Sequence, residues 1–202
     1  GSGGPHTDVV QHAGSGPVFS RQEGPHAHHV RVDPSGTWVL AVDLGIDAVL
    51  AYTLDLATGQ LRRGPVAQTR PGSGPRHLAF GDDGVVYVAG ELDCSVTAFV
   101  LDPASGKLAP AAVASSMSTA PTTDTYPSEI ACSDDGRYLY VANRGSDVIG
   151  TLAIDGTSMQ NVADVPTGGA WPRHLAVVGD HLYVANERSH QVTHFRLDPA
   201  TG

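Results

Sequence analysis

Four segments of the chain align on one another at a period of about fifty residues, and that period restricts the fold more than any other feature. They open near Ala27, Pro75, Pro127 and Pro172, the three prolines lying 52 and then 45 residues apart. A turn glycine recurs at Gly36, Gly84 and Gly136, with Gly179-Asp180 in a slightly shorter fourth copy. An apolar run follows, ending in Leu-Tyr-Val-Ala-Asn or a variant of it. Then come Tyr52, Phe99, Leu152 or Phe195, a Leu-Asp or Ile-Asp pair, and a second turn glycine at Gly59, Gly106, Gly156 and Gly202.

Each copy reads as short strands separated by turn chemistry. In the third, residues 129–132 precede the turn Asp134-Asp135-Gly136, residues 137–142 make a second strand and residues 148–154 a third. Asp-Gly between β-rich runs marks a hairpin because glycine accepts a positive φ without steric penalty. No segment holds a 3.6-residue period over the ~10–12 residues a helix requires. Four strands in 45–50 residues make a β-propeller blade. The expected fold is therefore all-β, a partial propeller of four-stranded antiparallel blades. A blade end is expected over 1–24, with residues 7–11 closing an earlier blade. Blades follow over 25–74, 75–126 and 127–171, and an incomplete one over 172–202. Just under four blades is expected to be a fragment of a ring near seven blades, which at this period needs about 340 residues.

Composition narrows the partners. The apolar share of 41% is enough for a core. The net charge is −9 and Lys107 is the only lysine, the opposite of what a nucleic-acid binder carries. No run approaches the ~18 apolar residues of a membrane span. Two cysteines, Cys94 and Cys132, are too few for a disulfide framework, so reduced thiols in a cytoplasmic protein are expected.

In a propeller the loop leading into the innermost strand and the loop after the second strand share one face, so their residues converge on one funnel. Eight residues before each turn glycine stand His28, Arg76 and Ser128, and the fourth copy supplies Arg173 through its matching Pro-Arg-His. The second position holds Leu44, Glu91, Arg144 and Glu187. These residues differ in sign from blade to blade, as a pocket for an asymmetric anionic ligand requires and packing does not. His77 and His174 alternate away from the funnel on this reading, as structural residues. A metal site at His26, His28 and His29 is disfavoured, because strand neighbours face opposite ways and no carboxylate cluster adjoins them. Asp82-Asp83 and Asp134-Asp135 are turn residues.

At these residues the sequence resembles the lactonase family of seven-bladed propellers, which includes cycloisomerase-type 6-phosphogluconolactonases and the fungal carboxy-cis,cis-muconate cyclase. The matching stretches are Gly24-Pro-His-Ala-His-His29, Asp43-Leu-Gly-Ile-Asp47, Gly74-Pro-Arg-His77 with Glu91-Leu92, Tyr138-Leu-Tyr-Val-Ala-Asn-Arg-Gly145, and Pro172-Arg-His174. The resemblance implies a site of one His, two Arg and one Glu, which fall on His28, with His26 as the alternative, and on Arg76, Glu91 and Arg144, the positions the repeat also selects. His26, Arg173 and Glu187 are added as substrate-binding residues. The implied activity is hydrolysis of a small anionic sugar lactone, with no metal and no organic cofactor, no nucleic acid and no membrane. Glu91 or neutral His28 would take a proton from water, and Arg76 and Arg144 would bind the substrate anion and offset the oxyanion. No Gly-x-Ser-x-Gly elbow supports a serine nucleophile. The alternatives are a muconate-type lactonizing cyclase, a calcium-dependent propeller lactonase using Asn143, Asn186 and Glu187, and a non-catalytic binding platform. A platform favours aromatic and Met anchors over the Arg and His found at these positions.

Overall fold

The computed structural model describes residues 4–202 as four consecutive antiparallel sheets preceded by a single helical turn, α1 (Phe19–Gln22). The first sheet holds β1 (Ala27–Val32), β2 (Val39–Asp43), β3 (Ala48–Asp55) and β4 (Gln60–Gln68). The second holds β5 (Pro75–Phe80), β6 (Val85–Gly90), β7 (Ser95–Leu101) and β8 (Leu108–Ser115). The third holds β9 (Tyr126–Cys132), β10 (Tyr138–Arg144), β11 (Val148–Asp155) and β12 (Ser158–Pro166). The fourth has three strands, β13 (Pro172–Val178), β14 (His181–Asn186) and β15 (Gln191–Arg196). Strands pair in chain order within each sheet. The leading strands β1, β5, β9 and β13 touch one another in succession, which makes them the inner wall of a propeller arc. Among the described residues no helix is long and apolar enough to cross a membrane.

The core lies between the blades, and strand alternation builds it. Val86 and Val88 of β6 point to one side and pack with Leu40, Val42, Val49 and Ala51 of the first blade. Val85, Tyr87 and Ala89 of the same strand point to the other side and meet Ile130, Leu139, Val141 and Leu152 of the third blade. Every residue of β6 is buried for that reason. Tyr140, Ala142 and Ile149 repeat the arrangement against Leu175, Leu182 and Val184 of the fourth blade.

Polar staples reinforce the seams. Asp47, in the left-handed conformation at φ 51°, accepts the backbone N–H groups of Gly72 and Gly74 at 2.7 and 2.9 Å, just before β5. Asp147, at φ 53°, does the same two seams later, accepting the N–H of Trp171 at 2.8 Å, just before β13.

The N-terminal segment corrects one expectation. Of the expected blade end, residues 1–3 lie outside the described residues, and residues 7–11 form no strand. They meet the β3–β4 hairpin through side chains instead of a ladder: Thr7 donates to the Gly59 carbonyl at 2.9 Å, and Asp8 accepts the Leu61 N–H at 2.8 Å. Val10 packs beside Leu50 and Tyr52.

The seams leave no room for added atoms where backbones cross. A Cβ on Gly150 would sit 1.9 Å from the Ser116 carbonyl oxygen of the neighbouring blade. Gly150→Ala should therefore lose about 1–3 kcal/mol of stability, read as a lowered urea midpoint. An unchanged midpoint would contradict this account of the second seam.

Candidate active site

Each innermost strand begins with the same irregularity. In β1 the pairing runs Ala27 to Asp43 and then His29 to Val42, leaving His28 without a partner. In β5, Pro75 pairs with Gly90 and His77 with Ala89, leaving Arg76. In β13, Pro172 pairs with Asn186 and His174 with Ala185, leaving Arg173. The register of β9 shifts at the matching place, between Pro127 and Ile130. A bulge re-aims the side chain it carries and bends the strand, and here it falls on His28, Arg76, Ser128 and Arg173. The bulge also overturns the expectation that His77 and His174 face away from the funnel. Both approach Glu129 of β9, at 2.9 and 3.3 Å, and both line the same open cleft as Arg76 and Arg173.

Three arginines converge on the carboxylate of Glu91, which lies just after β6. Arg144, the last residue of β10, donates from Nη2 to Oε2 at 2.6 Å. Arg76 brings Nε to 2.8 Å from the same oxygen, and Arg21 of α1 donates to Oε1. Glu91, Arg76 and Arg144 are 3%, 3% and 6% exposed. Backbone carbonyls fix the guanidiniums: Arg76 Nη1 donates to Ser128 O at 2.6 Å, and Arg144 Nε to Tyr126 O at 3.0 Å. Ser128 spans the next seam, donating to Pro172 O at 2.6 Å. The ring of Tyr126 lies 5.9 Å from the guanidinium carbons of both Arg21 and Arg144, and Trp171 lies 5.7 Å from that of Arg144. Such distances give cation–π support to buried guanidiniums.

Arg21 has no counterpart in the repeat, so the alignment held no signal for it. Gln22 beside it anchors α1, donating from Nε2 to Leu44 O and Asp47 Oδ1 at 2.8 Å each. Tyr126 and Trp171 were legible in principle: each stands two residues before a funnel position, in a column just ahead of the Pro-x-x anchor.

The cluster is electrostatically unbalanced. Three guanidiniums against one carboxylate leave a net +2 inside a chain of net −9. Burial and the charge of Arg144 lower the Arg76 pKa to about 10, which leaves it protonated at neutral pH. Burial alone would raise the Glu91 carboxyl, but Arg144 and the hydrogen bond from Arg21 outweigh it and hold the group below its usual range. Two buried nitrogens at this place have no hydrogen-bond partner, Arg76 Nε, whose ion-pair contact with Glu91 is poorly angled for one, and His28 Nδ1. His28 is lowered to about 4 by burial and then by Arg76, so it stands neutral beside the arginines. Excess positive charge with an unpartnered imidazole nitrogen beside it is what an anionic ligand that also carries hydroxyls satisfies.

The other expected residues lie at the margin. Arg173 and Glu187 are exposed and pair with each other at 3.0 Å along the same cleft. His26 is exposed. Its backbone N–H is held by Asp43 at 2.7 Å and its ring lies 3.5 Å from Glu23, away from the arginines. Leu44 is buried, and its carbonyl receives Gln22. Among the described residues no group of three or more His, Cys, Asp or Glu is arranged to hold a metal ion.

Removing the negative centre should expose the repulsion it hides. Glu91→Gln is expected to lose about 3–5 kcal/mol, seen as a fall in melting temperature that added inorganic phosphate partly reverses; an unchanged melt would contradict the cluster's energetics. His28 and His29 are both lowered to about 4 by burial. In the unfolded chain they take protons near 6.5, so between about pH 6.5 and 4 the unfolded state binds more protons and stability falls as the pH falls. Urea unfolding at pH 7.5 and 5.5 should show this loss, and it should shrink in the His28→Gln, His29→Gln double variant.

Comparison with known proteins agrees with the geometry. The family described as "Lactonase, 7-bladed beta-propeller" matches residues 1–202. A 6-phosphogluconolactonase of Bacillus subtilis is 36% identical over 196 residues, covering 95% of this chain and 55% of its own length. A solved protein of Lactobacillus plantarum superposes with a TM-score of 0.91 at 29% identity, covering 96% of this chain and 57% of that one. The periplasmic gluconolactonase of Pseudomonas aeruginosa does so with a TM-score of 0.84 at 32% identity, covering 95% and 55%. The chain thus spans about half the length of the relatives it matches. With its four successive blades and its repeat-selected arginines, the chain belongs to the seven-bladed propeller lactonase family.

Proposed function

We propose that the protein carrying this chain hydrolyses a sugar lactone bearing a negative charge, of the 6-phosphogluconolactone type. The observation that carries the reading is the arginine cluster: three guanidiniums around one buried carboxylate, a net +2, with the buried His28 Nδ1 unpartnered beside it. The relatives named 6-phosphogluconolactonase and gluconolactonase support the substrate class.

In this reading Arg76 and Arg144 bind the substrate's phosphate or carboxylate and face the oxygen on which charge develops. Guanidiniums suit this because they stay protonated and present paired donors to anions. Their fixation by Ser128, Tyr126 and Glu91 means little reorganisation is needed when the charge appears. Water adds to the lactone carbonyl, the ring C–O bond breaks, and the ring oxygen leaves as an alcohol after gaining a proton. Glu91 is poorly suited to accept the proton from water, since three guanidiniums already engage its oxygens. Its part is to hold the arginines together, and the acceptor is a neutral imidazole.

The test is hydrolysis of 6-phosphogluconolactone and of gluconolactone by the natural reading frame that carries this chain. Arg144→Ala should lower kcat/KM about 10²–10³-fold, and the phosphorylated lactone should be preferred. No turnover of either lactone by the parent, or full turnover by the variant, would overturn the reading.

A further inference from the structure

The bulge that re-aims Arg76 also leaves its chain neighbour, His77, on the channel side. Its counterparts in the other blades are His29, Glu129 and His174, one residue past each funnel position. Together they form a second tier next to the arginine cluster. The His29 ring stacks on His77 with centroids 4.2 Å apart and planes 10° from parallel. The Nδ1 of His29 accepts the Leu78 N–H at 3.1 Å. The His28 ring meets His77 edge-on, with centroids 5.3 Å apart.

His77 is held by a carboxylate. Its Nδ1 lies 2.9 Å from Glu129 Oε1, and that oxygen also accepts the Ile130 N–H at 3.1 Å. Burial would raise the Glu129 carboxyl, but hydrogen bonds from His77 and from the Ile130 N–H help hold it below its usual range. An ionised carboxylate only accepts hydrogen bonds, which places a proton on His77 Nδ1, so that in the neutral ring Nε2 carries the lone pair. The same ring lines the cleft that Arg76 and Arg173 line. A carboxylate that orients an imidazole lining a cleft is the arrangement by which enzymes prepare a general base.

We infer that His77 is the proton acceptor of this site and that Glu129 is its positioning residue, an inference resting on the lactonase reading above. The attacking water gives its proton to His77 Nε2 as its oxygen bonds to the lactone carbonyl carbon. The tetrahedral oxyanion then collapses, the ring C–O bond breaks, and the ring oxygen takes that proton back from the imidazolium. One water is consumed, a hydroxy acid is formed, and the imidazole returns to its neutral state. Facing the ring are Glu129 from β9 and His28 and His29 from β1, while Arg76 from β5 and Arg173 and His174 from β13 line the same cleft.

Two measurements separate this inference from the function on which it rests. In the chain itself, nitrogen-15 spectra should show His77 protonated at Nδ1. Titration with 6-phosphogluconate should move its Nε2 signal together with the guanidinium signals of Arg76 and Arg144. Movement of the arginine signals without His77, or a proton found on His77 Nε2, would overturn the assignment of the base alone. Silence of all three would overturn the anion-binding reading with it. In the natural reading frame, His77→Gln should lower kcat about 10²–10³-fold with KM within about threefold. Free imidazole should restore part of the rate of His77→Ala, which a merely structural histidine would not allow. Glu129→Gln should lower kcat with KM likewise little changed. A His77→Gln enzyme within threefold of the parent kcat, alongside an inactive Arg144→Ala, would remove His77 and leave the lactonase reading standing.

Discussion

One carboxylate joins three parts of the molecule that the chain keeps far apart. Glu91 leaves the second blade, Arg144 comes from the third, and Arg21 from the turn ahead of the first, with Arg76 alongside from the second blade's own inner strand. Without that negative centre the guanidiniums would repel one another in a place where water screens them poorly. With it they remain a net +2, held still by backbone carbonyls and framed by Tyr126 and Trp171. The site is therefore charged, rigid and incompletely neutralised, a combination that stability alone would not select.

The propeller makes this arrangement possible through two periodicities. Alternation along each strand sends successive side chains to the two neighbouring blades, so the seams are apolar and the blades sit close together. The bulge at the head of each inner strand interrupts that alternation once, at the same place in every blade. Two consecutive residues then serve the channel instead of one. The first tier carries His28 and Arg76, and the second carries His29, His77, Glu129 and His174. A regular ladder would have turned half of these toward a seam.

The sequence showed the blades plainly, because turn glycines and strand endings recur in register and the sheets follow that register. It also led to Arg76, Glu91 and Arg144, since equivalent offsets in a ring converge. The second tier stayed hidden because a bulge adds no letter to the alignment, and strict alternation then assigns His77 to the wrong side. Arg21 stayed hidden because it lies outside the repeat and reaches Glu91 across seventy positions. Residues 7–11 read as a strand by composition, yet a strand is defined by its partner, and this segment meets its blade through Thr7 and Asp8 side chains. His26 was drawn in by its neighbours in a histidine-rich stretch, while its backbone tie to Asp43 keeps it at the rim.

The most direct test of the central claim is a crystal structure of the chain grown with 6-phosphogluconate. The account predicts an anionic oxygen of the ligand within about 3 Å of guanidinium nitrogens of both Arg76 and Arg144, with Glu91 still bridging them. A ligand seated elsewhere on the arc, with these arginines unmoved and without contact to it, would contradict the account.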